Sequence, residues 1–226
     1  MNHCLHNPVY NALLTGDKHL SNGTATAQWY DEAVSPFVGF AANNKNGFDE
    51  LHSLLPEGRK ILYAIPSFIT QPKGWQVQHE IKGLQFVYEG CGDFTNDSTA
   101  VQPLTTTHVA EMIALTKLTR PGPFAAKTIL FGAYHGIFEN GQLVAMTGQR
   151  MHPEDYSEIS AVCTHPDYLG KGYASVLIQH QLQLILEEGR KPFLHVRADN
   201  ERAVALYHRL GFTISRPMNF YFMQKQ

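Results

Sequence analysis

The chain has 226 residues, 43% of them hydrophobic and 17% charged. That length allows one large domain or two small ones, and the composition is too apolar and aromatic for a disordered chain. Lys plus Arg number 18 against 20 for Asp plus Glu, a net charge of -2, so there is no basic surplus for nucleic acid or an anionic membrane and no acidic tail.

The three cysteines, Cys4, Cys91 and Cys163, are odd in number and sparse. A disulfide scaffold is excluded, and a reducing cytoplasm is the expected compartment. The N-terminus carries no basic cluster followed by an apolar run, and no stretch is apolar for the roughly 18 residues of a membrane span. His3, Cys4 and His6 form the one tight group with metal-ligand chemistry. A closed metal site wants four ligands at recognisable spacing, so no metal is expected.

Residues 47–55 fit a short helix with Phe48, Leu51, Leu54 and Leu55 on one face, and 60–65 and 84–88 fit strands. Residues 21–30 are ambiguous. A stretch rich in Gly, Asp, Asn, Ser and Thr (90–107) reads as a linker. It divides a smaller N-terminal α/β piece, 1–95, from a second unit, 96–226.

The second unit is better patterned. A helix is expected over 108–118, with Thr107 as N-cap and Pro121 as its stop. Apolar runs at 134–138 and 142–150 flank Asn140-Gly141, the strongest short hairpin signal. Residues 157–164 alternate as a strand, with Ile159, Ala161 and Cys163 on one face and Glu158, Ser160 and Val162 on the other. A helix over 172–187 ends at Gly189, and 192–198 is a strand. A helix over 201–210 lies between an Asp199 or Asn200 cap and Gly211. A strand interrupted by Pro217 closes the chain. This order predicts an α/β (α+β) fold, a mixed, mostly antiparallel sheet flanked by helices.

The sharpest local feature is the turn from strand to helix at 165–175. Gly170 and Gly172 let the backbone turn tightly and approach a ligand. The first N–H groups of the helix have no partners within it, which suits a pyrophosphate. A Walker loop is excluded because Lys171 precedes Gly172, and a dinucleotide fingerprint because Ser175 stands where its third glycine belongs.

The runs 158–178 and 193–212 resemble the GCN5-related N-acetyltransferases, most closely the FR47-like branch. Three signatures agree in order: the strand at Ala161-Val162, the Gly-x-Gly-x-Ala turn at 170–174, and a block from Asn200 through Ala203, Leu206, Tyr207 and Leu210 to Phe212. The resemblance covers about 110–226 and leaves 1–89 as a degenerate half of the same fold. It implies acetyl-CoA as acyl donor, a small-molecule or peptide amine as acceptor, and direct attack in a ternary complex.

The resemblance also assigns roles. Val162, Cys163 and Thr164 on the strand edge, with Leu169, Gly170, Lys171, Gly172, Tyr173, Ala174 and Ser175 in the turn, would hold CoA. The Val162 N–H would face the thioester carbonyl. Leu169 stands where the family has Arg or Gln, which implies weaker or reorganised CoA binding. Asn200 would reach the pantetheine arm or cap its helix. Tyr207 is the expected general acid, since a phenol near pH ~10 is nearly matched to an alkyl thiol. For the base, Glu158 with a raised pKa competes with His195. Cys163 reads as core. Glu154, Asp155 and Glu158 would make the acceptor mouth acidic, blunted by Arg150 and His152. The alternatives are a non-catalytic acyl-CoA-binding protein, acyl transfer to a non-amine, or a longer acyl chain.

Overall fold

The computed structural model of the protein describes residues 3–92, 94 and 100–226. The N-terminal piece contributes α1 (Pro8–Leu14), β1 (Ser21–Gly23), β2 (Ala27–Tyr30), β3 (Phe37–Phe40), α2 (Gly47–Leu54), β4 (Lys60–Ile65) and β5 (Trp75–Tyr88). After β6 (Val101–Pro103) come α3 (Val109–Thr119), β7 (His135–Glu139), β8 (Gln142–Arg150) and β9 (Tyr156–Thr164). The chain ends with α4 (Tyr173–Glu187), β10 (Lys191–Arg197), α5 (Glu201–Arg209) and β11 (Phe212–Lys225).

The strands make one eleven-stranded sheet in the order β1-β2-β3-β4-β11-β5-β10-β9-β8-β7-β6. Pairing is parallel between β3 and β4 and between β9 and β10, and antiparallel elsewhere. The mixed, mostly antiparallel sheet is thus the one expected. Side chains alternate across it. On β10, Phe193 joins a core with Leu5, Leu13, Met112 and Met146. Its neighbour Leu194 joins Ile178, Leu182 and Tyr207 on the opposite face. So α1 and α3 cover one face near the strands that carry the site, and α4 and α5 the other.

The boundary expected at residues 95 and 96 lies outside the described residues. The pieces on either side of it share the sheet, because β5 is inserted between β10 and β11 while β11 also pairs β4. A chain cut to 96–226 would open two strand edges and expose Phe86-facing core on both sides, where each lost ladder and apolar contact removes stability. We expect that fragment to show no cooperative unfolding by circular dichroism. A soluble fragment with a sharp transition would mean that β5 is dispensable.

Local signals explain most elements. Asn140 and Gly141 both take positive φ, 51° and 78°, between the closing pair Glu139 and Gln142, as a two-residue hairpin requires. Several expectations need correction. β5 begins at Trp75 instead of residue 84. The ambiguous 21–30 resolves into β1 and β2, and the expected linker contains β6. Thr107 is not the N-cap of α3: a short 3-10 turn, Thr106–His108, precedes it, and the capping box there uses Thr105 and His108. Pro217 sits between the β11 bulge at Ile214/Arg216 and Asn219, where pairing with β4 begins, so β11 tolerates it where it has one neighbour.

Candidate active site

The parallel pairing of β9 with β10 stops at Glu158 and Phe193. Beyond that point β9 runs on to Thr164 and β10 to Arg197 without pairing each other. The two strands splay, and their facing backbone groups are free of one another. A cleft of about 890 Å³ fills the gap and extends over the glycine turn to α5.

A bulge shapes the β9 side of the gap. Ser160 pairs Gly148 and Cys163 pairs Met146, so β9 spends one more residue than β8 between the two pairs. Ala161 absorbs the excess at φ 53°, in the left-handed region, and the Thr147 hydroxyl donates to the Ser160 carbonyl 3.1 Å away. Gly148 is required opposite, because a Cβ there would lie 2.4 Å from the Tyr134 ring. An inserted residue reverses the alternation that follows it. Ile159 and Val162 therefore share the α4/α5 face, with Ala161 and Cys163 on the other. The expectation that Glu158 shares a face with Val162 is corrected: it meets Arg150 and His195, whose neighbours Phe37, Phe193 and Phe220 belong to the α1/α3 core.

The glycine turn opens onto the same cleft. Gly170 and Gly172 hold φ of 84° and 82°, with open space where a Cβ would be. Backbone conformation, not crowding, demands glycine there. Gly172 is the N-cap of α4 and offers no side-chain cap. Leu169, Gly170, Gly172, Tyr173, Ala174 and Ser175 all line the cleft. Leu169 is 50% exposed. The Lys171 ammonium instead lies 4.8 Å from the Tyr168 ring centre, and the Tyr173 hydroxyl donates to Glu139.

Asn200 is the N-cap of α5, and its Oδ1 accepts from the Ala203 N–H at 3.2 Å. It also lines the cleft. Tyr207 comes from α5 and packs against Phe86 and Phe212. Its hydroxyl has no hydrogen-bond partner among the described residues, although the residue lines the cleft. Burial pushes the phenol up to about 12, above the value near 10 expected from sequence. Cys163 is buried in the α1/α3 core, its thiol pushed up to about 12 by burial. It reads as core, as expected, with its backbone on the cleft edge.

Glu158 and His195 are adjacent, but neither has the form expected of a base. Glu158 is fully buried and lies directly across from Arg150, which donates to it twice, Nε to Oε2 at 2.8 Å and Nη2 to Oε1 at 2.7 Å. His195 Nδ1 lies 2.7 Å from Glu158 Oε1. Burial alone would push this carboxyl up, but Arg150 and His195 hold it down, at about 2. A raised pKa is thereby corrected: Glu158 is a locked anion. The other ring nitrogen of His195 is also taken, by Gln85, its cross-strand partner on β5. Gln85 Nε2 is 3.0 Å from both His195 Nε2 and the Leu5 carbonyl. An amide nitrogen only donates, so His195 Nε2 accepts and Nδ1–H donates to Glu158. Both ring nitrogens of His195 are thus engaged within the protein.

This clamp of Arg150, Glu158, His195 and Gln85 spans β8, β9, β10 and β5 at the apex of the splay. Sequence reading misses the part of Arg150 and Gln85 in it. Arg150 opposite Glu158 is readable once β8 and β9 are paired; Gln85 carries no local signal, since it meets a residue 110 positions away.

The acceptor mouth also differs from expectation. Glu154, Asp155 and Glu158 do not line the cleft, and no other Asp or Glu does among the described residues. Pro121, Phe124, Tyr134, Arg150 and Ser160 enclose a smaller recess on the α1/α3 side. The described residues contain no group of three or more His, Cys, Asp or Glu placed to hold a metal, and no helix is long and apolar enough to cross a membrane.

The model of the FR47-like protein family matches residues 134–221. A GNAT-family protein of solved structure from Novosphingobium aromaticivorans is 33% identical, with a TM-score of 0.93 and 100% of each chain covered. A GCN5-related N-acetyltransferase from Kribbella flavida, 14% identical, shares the fold with a TM-score of 0.66 over 98% of this chain and 95% of its own. Mycothiol acetyltransferases from Corynebacterium efficiens and Corynebacterium aurimucosum are 34% and 40% identical over 80 and 90 residues, 35% and 38% of this chain. Those matches span 27% and 30% of the two relatives' own lengths. With likeness along the whole chain to one member and an FR47-like segment over the splayed strands and glycine turn, the chain belongs to the GNAT family of acetyltransferases.

Proposed function

We propose that the protein is an acetyl-CoA-dependent N-acetyltransferase that moves the acetyl group to an amine by direct attack in a ternary complex. The observation that carries this reading is the splay of β9 from β10, with the Ala161 bulge at one end and the glycine turn at the other. The residues present fit the donor. The N–H groups of 170–175 suit its pyrophosphate, and the free strand edge at Val162, Cys163 and Thr164 suits its amide-bearing arm. Arg202 and Arg209 line the cleft from α5 with no carboxylate beside them in its wall.

Acetyl-CoA supplies an activated thioester, so the protein's work is positioning and charge stabilisation. The Val162 N–H, beside the bulge, receives the charge that develops on the carbonyl oxygen. A C–N bond forms, the C–S bond breaks, and the electron pair leaves on sulfur. Tyr207 donates a hydrogen bond, and then its proton, to that sulfur. With its phenol near 12, transfer to a thiolate is uphill, so Tyr207 acts first as a hydrogen-bond donor and solvent restores the balance. Glu158 and His195 serve as structure, and the amine gives its proton to water in the cleft. The thiols in no disulfide, Cys4, Cys91 and Cys163, support a cytoplasmic setting.

Steady-state thiol release from acetyl-CoA with a panel of amines tests the reading. Half-exposed Leu169 favours one alternative, an acyl-CoA binder without catalysis, which would bind the donor and release no thiol above the buffer rate.

Two results bear on the donor site alone. Acetyl-CoA at about a hundredfold excess over Kd should stabilise the fold by roughly 2.7 kcal/mol, and Gly172→Val should abolish that thermal shift. Its side chain forces a residue of φ 82° out of the left-handed region, at a cost of about 1–2 kcal/mol, and moves the turn's N–H groups. A full shift in the variant would place the pyrophosphate elsewhere. Leu169→Arg should tighten CoA binding by less than about tenfold, the range of an exposed charge contact. Weaker binding in that titration would show that Leu169 itself packs on the ligand.

A further inference from the structure

The cleft wall holds Arg120, Arg150, Arg197, Arg202 and Arg209 and, among the described residues, no Asp or Glu. Two of these cations are compensated nearby. Arg150 carries Glu158, and Arg197 is bonded twice to Asp199, at 2.9 and 2.6 Å. Arg202 and Arg209 project from α5, on the face assigned to the donor. Arg120 is left. It ends α3 on the opposite face, next to Pro121, which lines the recess with Arg150 and Ser160. Among the described residues it has no ion-pair partner.

The backbone at Arg120 adds a second observation. It stands at φ 51° and ψ 53° and caps α3 by donating to the Thr116 carbonyl at 2.8 Å. A helix end in this conformation favours Gly or Asn, yet the chain places a long cation there at some cost in strain. The small recess beside Pro121 is lined by Arg150, Ser160 and Tyr134 and, among the described residues, by no Asp, Glu or His.

Resting on the acetyltransferase reading above, we propose that the acceptor is an amine that also carries a carboxylate, and that Arg120 recognises the carboxylate. Guanidinium pairs with carboxylate through parallel charge-assisted bonds. The anion would seat on Arg120 in the cleft wall, which holds the amine within the cleft. A polyamine or a lysine-rich peptide would instead bring a second cation against Arg120.

The test compares common α-amino acids, β-alanine and γ-aminobutyrate with their amides, at matched concentrations of unprotonated amine. For the acetylated set, kcat/KM should be at least about tenfold higher for acids than for amides. Arg120→Ala should bring that ratio close to one by raising KM for the acids alone, and Arg120→Lys should keep part of it. The thermal shift with acetyl-CoA should be unchanged in both variants. A helix-capping role alone would lower the melting temperature and leave the ratio intact, which would overturn the proposal. So would equal rates on acids and amides, preference for polyamines, or no turnover of any acid while acetyl-CoA still binds; in each of these the acetyl-CoA reading survives. Absence of acetyl-CoA binding in the unmodified protein would sink both.

Discussion

Tyr207→Phe is expected to lower kcat by roughly 10²-fold, with acetyl-CoA affinity nearly unchanged. The substitution keeps the ring against Phe86 and Phe212 and removes one hydroxyl that bonds to no described residue. The loss therefore falls on the step in which charge gathers on sulfur, and not on folding. The size lies at the low end for general acids because the phenol, near 12, is a weak acid beside a thiol. The effect should shrink with acyl donors whose thiol leaves more easily, since these need less help. Full turnover in the variant would make Tyr207 structural and assign protonation of the thiolate to water.

The second large effect concerns the clamp. Glu158→Leu leaves the Arg150 guanidinium, 11% exposed, without its counter-ion, and frees the His195 N–H. Breaking a buried pair this way costs about 3–5 kcal/mol. A chain with Arg150→Met added should recover much of that loss, because both charges are then gone. Denaturant midpoints of the two single variants and the double one measure the coupling, and simple additivity would contradict a tight pair. The pH dependence has a definite sign. The folded carboxyl, at about 2, lies below an unfolded glutamate near ~4.3. Its contribution to stability is therefore full above that unfolded value and is lost as pH falls from there toward about 2. Glu158→Gln should flatten this part of the stability curve and leave the acid limb of kcat/KM in place. If that limb disappears instead, Glu158 is the base after all.

Much of the site is legible in the amino-acid sequence. Gly170 and Gly172, the helix after them, Asn200 as cap and Tyr207 on its helix are encoded within a few residues of one another, where spacing alone sets the geometry. The clamp is not, because its partners come from four strands. The bulge at Ala161 is similar. Alanine has no special preference for positive φ, so nothing local announces the extra residue, and strict alternation misassigns Glu158's face. β5 is hidden for a different reason. Trp75, Val77 and Ile81 alternate with Gln76, Gln78, Glu80 and Lys82, but His79 and Gly83 interrupt the apolar set, and the strand reads as loop. The expected acidic mouth fails on charge: Glu154, Asp155 and Glu158 do not line the cleft, and Arg120, one of the arginines that do, stands more than 30 residues before them.

The structure of the protein with acetyl-CoA bound tests the arrangement most directly. The pyrophosphate should lie on the N–H groups of 170–175, the thioester oxygen within about 3.1 Å of the Val162 nitrogen, and the sulfur within hydrogen-bond reach of the Tyr207 hydroxyl. A thioester bound outside the gap between β9 and β10, with the Tyr207 hydroxyl remote from sulfur, would contradict it.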